Sequence, residues 1–177
     1  MVKIGKVLIT EEQIAARLAE MGARITDDYQ GKDLLLVAVL KGAFMVMADL
    51  VREIRLPIDI DFMAVSSYGE ATHTSGVVRI LKDLDKEITG RHVLIVEDII
   101  DSGLTLEYLR RNLEVRDPAS LEIATLLLKS GLQLVPIEVK YIGFEIPPDF
   151  VIGYGLDLVG KMRNLPYVAV MEEDGPA

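Results

Sequence analysis

The 177-residue chain has no cysteine, no tryptophan and only two histidines. Without a thiol it can form no disulfide, no thiolate nucleophile, no Cys-ligated zinc site and no Cys-held iron–sulfur cluster. The histidines, His73 and His92, belong to no HExxH pattern, and no G-x-S-x-G is present. Acid–base chemistry therefore falls to carboxylates, lysines or tyrosines. Long apolar runs are missing too. The strongest, Leu34 to Leu40, is far shorter than the ~20 residues that span a bilayer. Lys3 and Lys6 are soon followed by Glu11 and Glu12, which is no signal-peptide pattern. These absences make a soluble, cytoplasmic protein the expectation. Positive charge is also scarce, with 19 basic against 28 acidic side chains, and no third of the chain is net positive. That balance disfavours nucleic acid or an anionic membrane as the resting partner, since both need a basic surface. It leaves open a small anion delivered with a metal ion.

What is present is a core. Half the residues are apolar, and the length suits a single domain over residues 1–177. Thr10 and Gln13 form a T-x-x-Q capping box, and Ile14, Leu18, Met21 and Ile25 follow at helical spacing. Leu34–Leu40 is continuously apolar, as in a strand covered on both faces. Lys41-Gly42 interrupts it, and Ala43–Ile54 reads as a helix. Ile58–Val65 alternates like a half-buried strand. Residues 66–76 read as a polar loop, His92–Val96 as a strand, Thr105–Leu113 as a helix and Leu121–Leu128 as a strand. Shorter strands are expected at Val139–Phe144, Phe150–Tyr154 and Tyr167–Met171. Strands alternating with helices imply an α/β domain with a mainly parallel sheet flanked by helices. Ligands then sit beyond the carboxyl ends of the strands, which directs attention to 41–42, 97–104, 129–133 and 155–163.

Two motif matches fail. Gly155 to Lys161 fits a Walker A loop until Met162 stands where the magnesium-binding hydroxyl belongs, and Pro166 leaves no room for the following helix. Asp83, Asp85 and Glu87 imitate a calcium loop, but Ile88 occupies the glycine position. His92, at a strand start, is expected to be structural.

The stretch His92 to Thr105 holds. An apolar strand leads into Glu97-Asp98, two isoleucines, then Asp101-Ser102-Gly103-Leu104-Thr105. Successive strand side chains point to opposite faces, so the acidic pair is expected to bracket one ligand where the strand ends and bends. The Asp101–Thr105 turn offers backbone N–H groups and hydroxyls at a helix N-terminus, a phosphate cradle. The combination suits a ligand with a diol or metal on one side and a monophosphate on the other, as in a sugar phosphate.

This segment resembles the 5-phosphoribosyl-1-pyrophosphate signature of type I phosphoribosyltransferases. Leu40-Lys41-Gly42, Ser66-Ser67-Tyr68-Gly69, Gly143 to Pro147 and Phe150 to Asp157 resemble, in order and spacing, the hypoxanthine-guanine phosphoribosyltransferases. The resemblance implies the corresponding fold, with a small base-binding hood built from the terminal segments. It implies transfer of a phosphoribosyl group to N9 of a 6-oxopurine, with Mg2+ as cofactor. It assigns Glu97 and Asp98 to the ribose hydroxyls and magnesium, Asp101 to general base at purine N7, and Ser102, Gly103 and Thr105 to the 5′-phosphate. Lys41, Gly42 and Arg163 correspond to pyrophosphate binding, with a cis peptide between Leu40 and Lys41. Ser67 and Tyr68 correspond to the lid. Lys129 corresponds to the donor to the purine 6-oxygen, Phe150 and Val151 to base stacking and edge contact, and Asp157 to a position near base and second magnesium. An ammonium only donates, so Lys129 favours hypoxanthine or guanine over adenine.

The chain departs from the family pattern at Ser130–Leu134, where a proline and basic residues are common, at Leu128 for an aspartate and at Leu158 for an aromatic. These departures bear on pyrophosphate affinity and base preference. Two rivals use the same fold: an RNA-binding attenuator, which would need a basic face, and a noncatalytic nucleotide sensor. The helix after Lys41-Gly42 opens apolar almost all round, which suggests a subunit interface in a homodimer or homotetramer; a purely core role is the alternative.

Overall fold

The computed structural model describes residues 3–67 and 78–172. Tyr68 and His73 lie outside them. The chain begins with strand β1 (Lys3–Ile9), where no element is expected from the sequence. Its Ile4 and Val7 are exposed at the edge of a small sheet, so the segment lacks the fully apolar run of a central strand. Helix α1 (Glu11–Asp28) starts at the expected capping box, with Gln13 N donating to Thr10 Oγ1 at 3.3 Å and Thr10 N to Gln13 Oε1 at 2.9 Å. Strand β2 (Leu34–Leu40), helix α2 (Phe44–Glu53) and strand β3 (Asp59–Ser67) follow. Strand β4 (Val78–Lys82) is a second element not foreseen; it is a half-exposed edge strand antiparallel to β3. Then come β5 (His92–Ile100), α3 (Leu104–Glu114), β6 (Ser120–Lys129), β7 (Tyr141–Ile146), β8 (Val151–Ile152) and β9 (Val168–Glu172).

Six strands form one sheet in the order β4-β3-β2-β5-β6-β7, in which every pair except β3–β4 is parallel. Alternate residues of the central strands feed two cores. Leu34, Leu36, Ala38, Leu94 and Val96 pack with Ile14, Leu18, Met21 and Ile25 of α1 and with Val46, Met47 and Leu50 of α2. Leu35, Val37, Val39, Val93 and Ile95 pack with Leu106, Leu109 and Leu113 of α3. Each fully buried leucine or isoleucine contributes about 1.5–3 kcal/mol of transfer free energy. A second, antiparallel sheet of β1, β9 and β8 joins the two ends of the chain and forms the expected hood.

The amino ends of the parallel strands are tied by ions. Arg91 donates to both oxygens of Asp33 (2.8 and 2.7 Å) and to Asp59 (2.9 Å). His92 has the structural role expected of it, with Nδ1 2.7 Å from Ser120 Oγ. The calcium-like acids are an ion-paired turn, Asp83 with Arg116 and Asp85 with Lys82.

Candidate active site

Strand β5 corrects one expectation. It does not end at Val96; its parallel pairing with β6 continues through Glu97, opposite Thr125, to Ile100, opposite Leu128. Pairing to a neighbour on that side keeps the backbone extended where composition alone suggested a bend. Glu97 and Asp98 therefore face opposite sides of the sheet. Glu97 lines a hollow of about 140 Å³ with Asp101, Ser102, Gly103 and Thr105 on the α3 side. Asp98 lines a cleft of about 310 Å³ on the hood side, with Gly42, Asp101, Lys129, Phe150, Val151, Asp157 and Arg163. Asp101, just past the strand, borders both.

Both acids are costly to ionise. Burial, and then the neighbouring Asp98 charge, pushes the Glu97 carboxyl well up. Burial likewise raises Asp98, to about 6, although the Ile99 N–H donates to its Oδ1 at 2.8 Å and Arg163 favours its charge.

The turn after β5 is shaped by glycine. Gly103 has φ +81 and stands just before α3, and a side chain there would overlap Ile137. Ser102 Oγ accepts from Leu104 N at 3.4 Å, and Ser102, Gly103 and Thr105 surround the smaller hollow at the N-terminus of α3.

Across the cleft, Lys129 at the end of β6 is 9% exposed, and its Nζ lies 3.2 Å from Asp101 Oδ2. Gln133, which nothing in the sequence singles out, donates from Nε2 to Lys129 O at 2.6 Å and to Asp101 O at 3.1 Å. Phe150 is 48% exposed at the mouth, while Val151 beside it is buried in β8.

Glycines also allow the third wall. The Leu40–Lys41 peptide is cis, as the resemblance implies. A side chain at Gly42 would overlap the Asp98 carboxylate, and one at Gly155 (φ +94) would overlap Gly42 O. The P-loop-like segment 155–161 opens no helix. It makes a tight turn in which Gly160 N donates to Asp157 Oδ2 at 2.6 Å. Arg163 pairs with Asp157 at 2.7 Å and donates to Gly155 O at 2.5 Å, so it is held beside Gly42. Lys41 is exposed on the same loop. Of the residues expected for the lid, Ser67 ends β3 and Tyr68 is outside the described residues.

Another hollow, about 320 Å³ between α1, α2 and Tyr154, is lined by Ile14, Leu18 and Met45. Of the carboxylates on its wall, Glu11, Asp49 and Glu53, Asp49 is held by Tyr154 and Arg52.

The phosphoribosyl transferase domain family matches residues 8–158. The hypoxanthine-guanine phosphoribosyltransferase of Mycobacterium avium is 54% identical over 175 residues, covering 96% of this chain and 86% of that protein. The hypoxanthine phosphoribosyltransferase of Haemophilus influenzae is 54% identical over 172 residues, covering 94% and 96%. Among solved structures, a hypoxanthine phosphoribosyltransferase from Staphylococcus aureus superposes with a TM-score of 0.93 at 47% identity, covering 96% of this chain and 92% of that one.

Proposed function

The chain belongs to the phosphoribosyl transferase family, and we propose that it is a hypoxanthine-guanine phosphoribosyltransferase of purine salvage. Its substrates are 5-phosphoribosyl-1-pyrophosphate and hypoxanthine or guanine, and its products are IMP or GMP and pyrophosphate. The observation that carries this reading is the Lys129–Asp101 pair, 3.2 Å apart in a cleft that also holds Phe150 and Arg163. Atoms O6 and N7 lie side by side on a 6-oxopurine. An ammonium that only donates and a carboxylate that only accepts match O6 and N7–H in that order. A 6-amino purine would set its own donor against Lys129.

In the reaction, the bond from C1′ to the pyrophosphate oxygen breaks and the bond from N9 to C1′ forms. Asp101 takes the proton from N7 as N9 attacks. Phe150 stacks on the base, and the Val151 backbone meets its edge. Ser102, Gly103 and Thr105 hold the 5′-phosphate, while Lys41, Gly42 and Arg163 hold the departing pyrophosphate. Ser67 and Tyr68 close over the centre and keep water from the cationic sugar.

The donor set suits magnesium. Mg2+ is bound by one or two carboxylates plus substrate phosphates rather than by a cage of protein ligands. Asp98 and Asp157 would hold the ion from the cleft side; Glu97, expected to share it, lies on the other face of β5 and stands outside that pair. The ion would neutralise charge on the leaving pyrophosphate. We place the enzyme in the cytoplasm as a homodimer or homotetramer; Phe44 and Ala48 on the outer side of α2 offer a contact surface.

The test is a spectrophotometric assay of hypoxanthine, guanine, xanthine and adenine with the pyrophosphate donor and Mg2+. Nucleotide is expected from hypoxanthine and guanine and none from adenine. Absence of product from all four would overturn the reading. A salt-dependent RNA gel shift without enzymatic product would point to the attenuator instead.

A further inference from the structure

Gln133 lies inside Ser130–Leu134, the stretch in which this chain departs from the pattern of its family. Its amide nitrogen carries two hydrogens and meets two main-chain carbonyls, Lys129 O at 2.6 Å and Asp101 O at 3.1 Å. Those carbonyls belong to the two residues whose side chains pair at 3.2 Å. Beside this bridge, Leu134 N donates to Ser102 O at 2.9 Å. Lys129 and Asp101 are therefore joined twice, once through their charged ends and once through their backbones.

The two links respond differently to a purine. When O6 takes the ammonium and N7–H takes the carboxylate, the side-chain pair separates. The backbone bridge engages no atom that the base needs, so it survives. It also continues the tie between the two strands past Ile100 and Leu128, where their pairing ends. Lys129 ends a central strand, whereas Asp101 stands at the start of a turn that carries Gly103 at positive φ. Beyond Ile100 and Leu128, the turn is tied by the Leu134–Ser102 bond and by Gln133. With the Gln133 donors gone, Asp101 itself gains freedom relative to Lys129, and the spacing of donor and acceptor on the purine edge moves with it.

Resting on the function proposed above, we infer that Gln133 is a positioning residue that holds Lys129 and Asp101 at purine-reading distance once substrate has broken their ion pair. It does so through main-chain bonds made by a neutral amide. It thus adds no charge next to Asp101.

Gln133→Met tests this, because it preserves length and bulk while removing both donors. Misplacing reacting groups by about an ångström costs up to ~10²-fold in rate, so kcat/KM for hypoxanthine is expected to fall at least about tenfold. KM for the pyrophosphate donor and inhibition by inorganic pyrophosphate are expected to stay within about twofold of wild type, because Lys41, Gly42 and Arg163 are not touched. Tm is expected to change by less than about 2 °C. In a Lys129→Ala background, Gln133→Met is expected to cost less than about twofold, since the spacing it guards no longer matters. An unchanged kcat/KM in Gln133→Met overturns the inference. So does a loss spread equally over both substrates together with a lowered Tm, which would mark a purely structural residue. Wild type is assayed alongside. If it makes no nucleotide, the functional reading itself has failed; if it does and Gln133→Met matches it, only the positioning role has.

Discussion

The two ends of the parallel sheet treat carboxylates in opposite ways. At the amino end, Asp33 is held below the usual carboxylate range by the Arg91 guanidinium, and Asp59 by Lys86 and Arg91. Asp61 is 4% exposed. Burial raises its pKa, but the N–H groups of Phe62, Lys86 and Asp85 outweigh this and keep it low. At the carboxyl end, buried Glu97 and half-buried Asp98 have no salt-bridge partner among the described residues and are pushed up. One end spends its charges on tying strands together. The other leaves them without a counter-charge among the described residues, in keeping with the ligand site proposed above and at a cost to stability.

The contrast can be broken at several points. The largest effect is expected from Asp101→Asn, which removes the proposed base: turnover should fall ~10²–10⁴-fold while IMP binding and Tm are retained, as steady-state kinetics and calorimetry would show. Unchanged turnover would remove the role. Gly42→Ala comes next. The added methyl would overlap Asp98, so the loop must shift, and KM for the pyrophosphate donor is expected to rise about tenfold in initial-rate assays.

Asp98→Asn sharpens the electrostatic side of the contrast. The folded carboxyl titrates near 6, above its unfolded value of 3.8. Its stabilising contribution is therefore complete below pH 4 and is lost as pH rises through about 6. Urea unfolding in chelator should show wild type gaining stability from pH 7 to pH 5. Asp98→Asn should flatten that slope and gain about 1–3 kcal/mol at neutral pH. A wild-type curve already flat would contradict the assignment.

The smallest effect belongs to the amino end. Arg91→Met should lower Tm by about 2–4 °C and leave kcat unaltered, because the site lies at the opposite end of the sheet. Asp33 and Asp59 have depressed pKa values, so their contribution is present above the ordinary carboxylate range and is lost as pH falls through the folded values. The variant should therefore lose part of the wild type's acid-unfolding transition. A drop in kcat would mean that the two ends are coupled.

Much of this was legible in the residues. The Leu34–Leu40 run is a doubly covered strand because apolar side chains at every position have to be buried on both faces. Thr10 and Gln13 cap α1 through contacts three residues apart, which any sequence reading can see. Strands β1 and β4 carry little local signal because edge strands have polar and half-exposed residues, and their identity depends on partners, Lys3 to Ile9 on β9 and Val78 to Lys82 on β3. The acidic pair was legible as chemistry but not as geometry: β6 keeps β5 extended past Asp98, which sends Glu97 to one side and Asp98 to the other. Gln133 left no signal, since an amide in a polar loop is ordinary until its two carbonyl partners are in place.

By itself, then, the sequence determined the α/β class, the order of the main strands and helices, and the residue types available for the chemistry, because periodicity, capping and turn composition act over a few neighbouring residues. Only the tertiary structure decided which face each acid occupies, that Lys129 meets Asp101 from 28 residues away, and that Gly42, Asp98 and Gly155 fit together only without side chains on the glycines. Those outcomes depend on strands that are distant in the chain and adjacent in the sheet, where pairing and close packing leave each side chain one place to go.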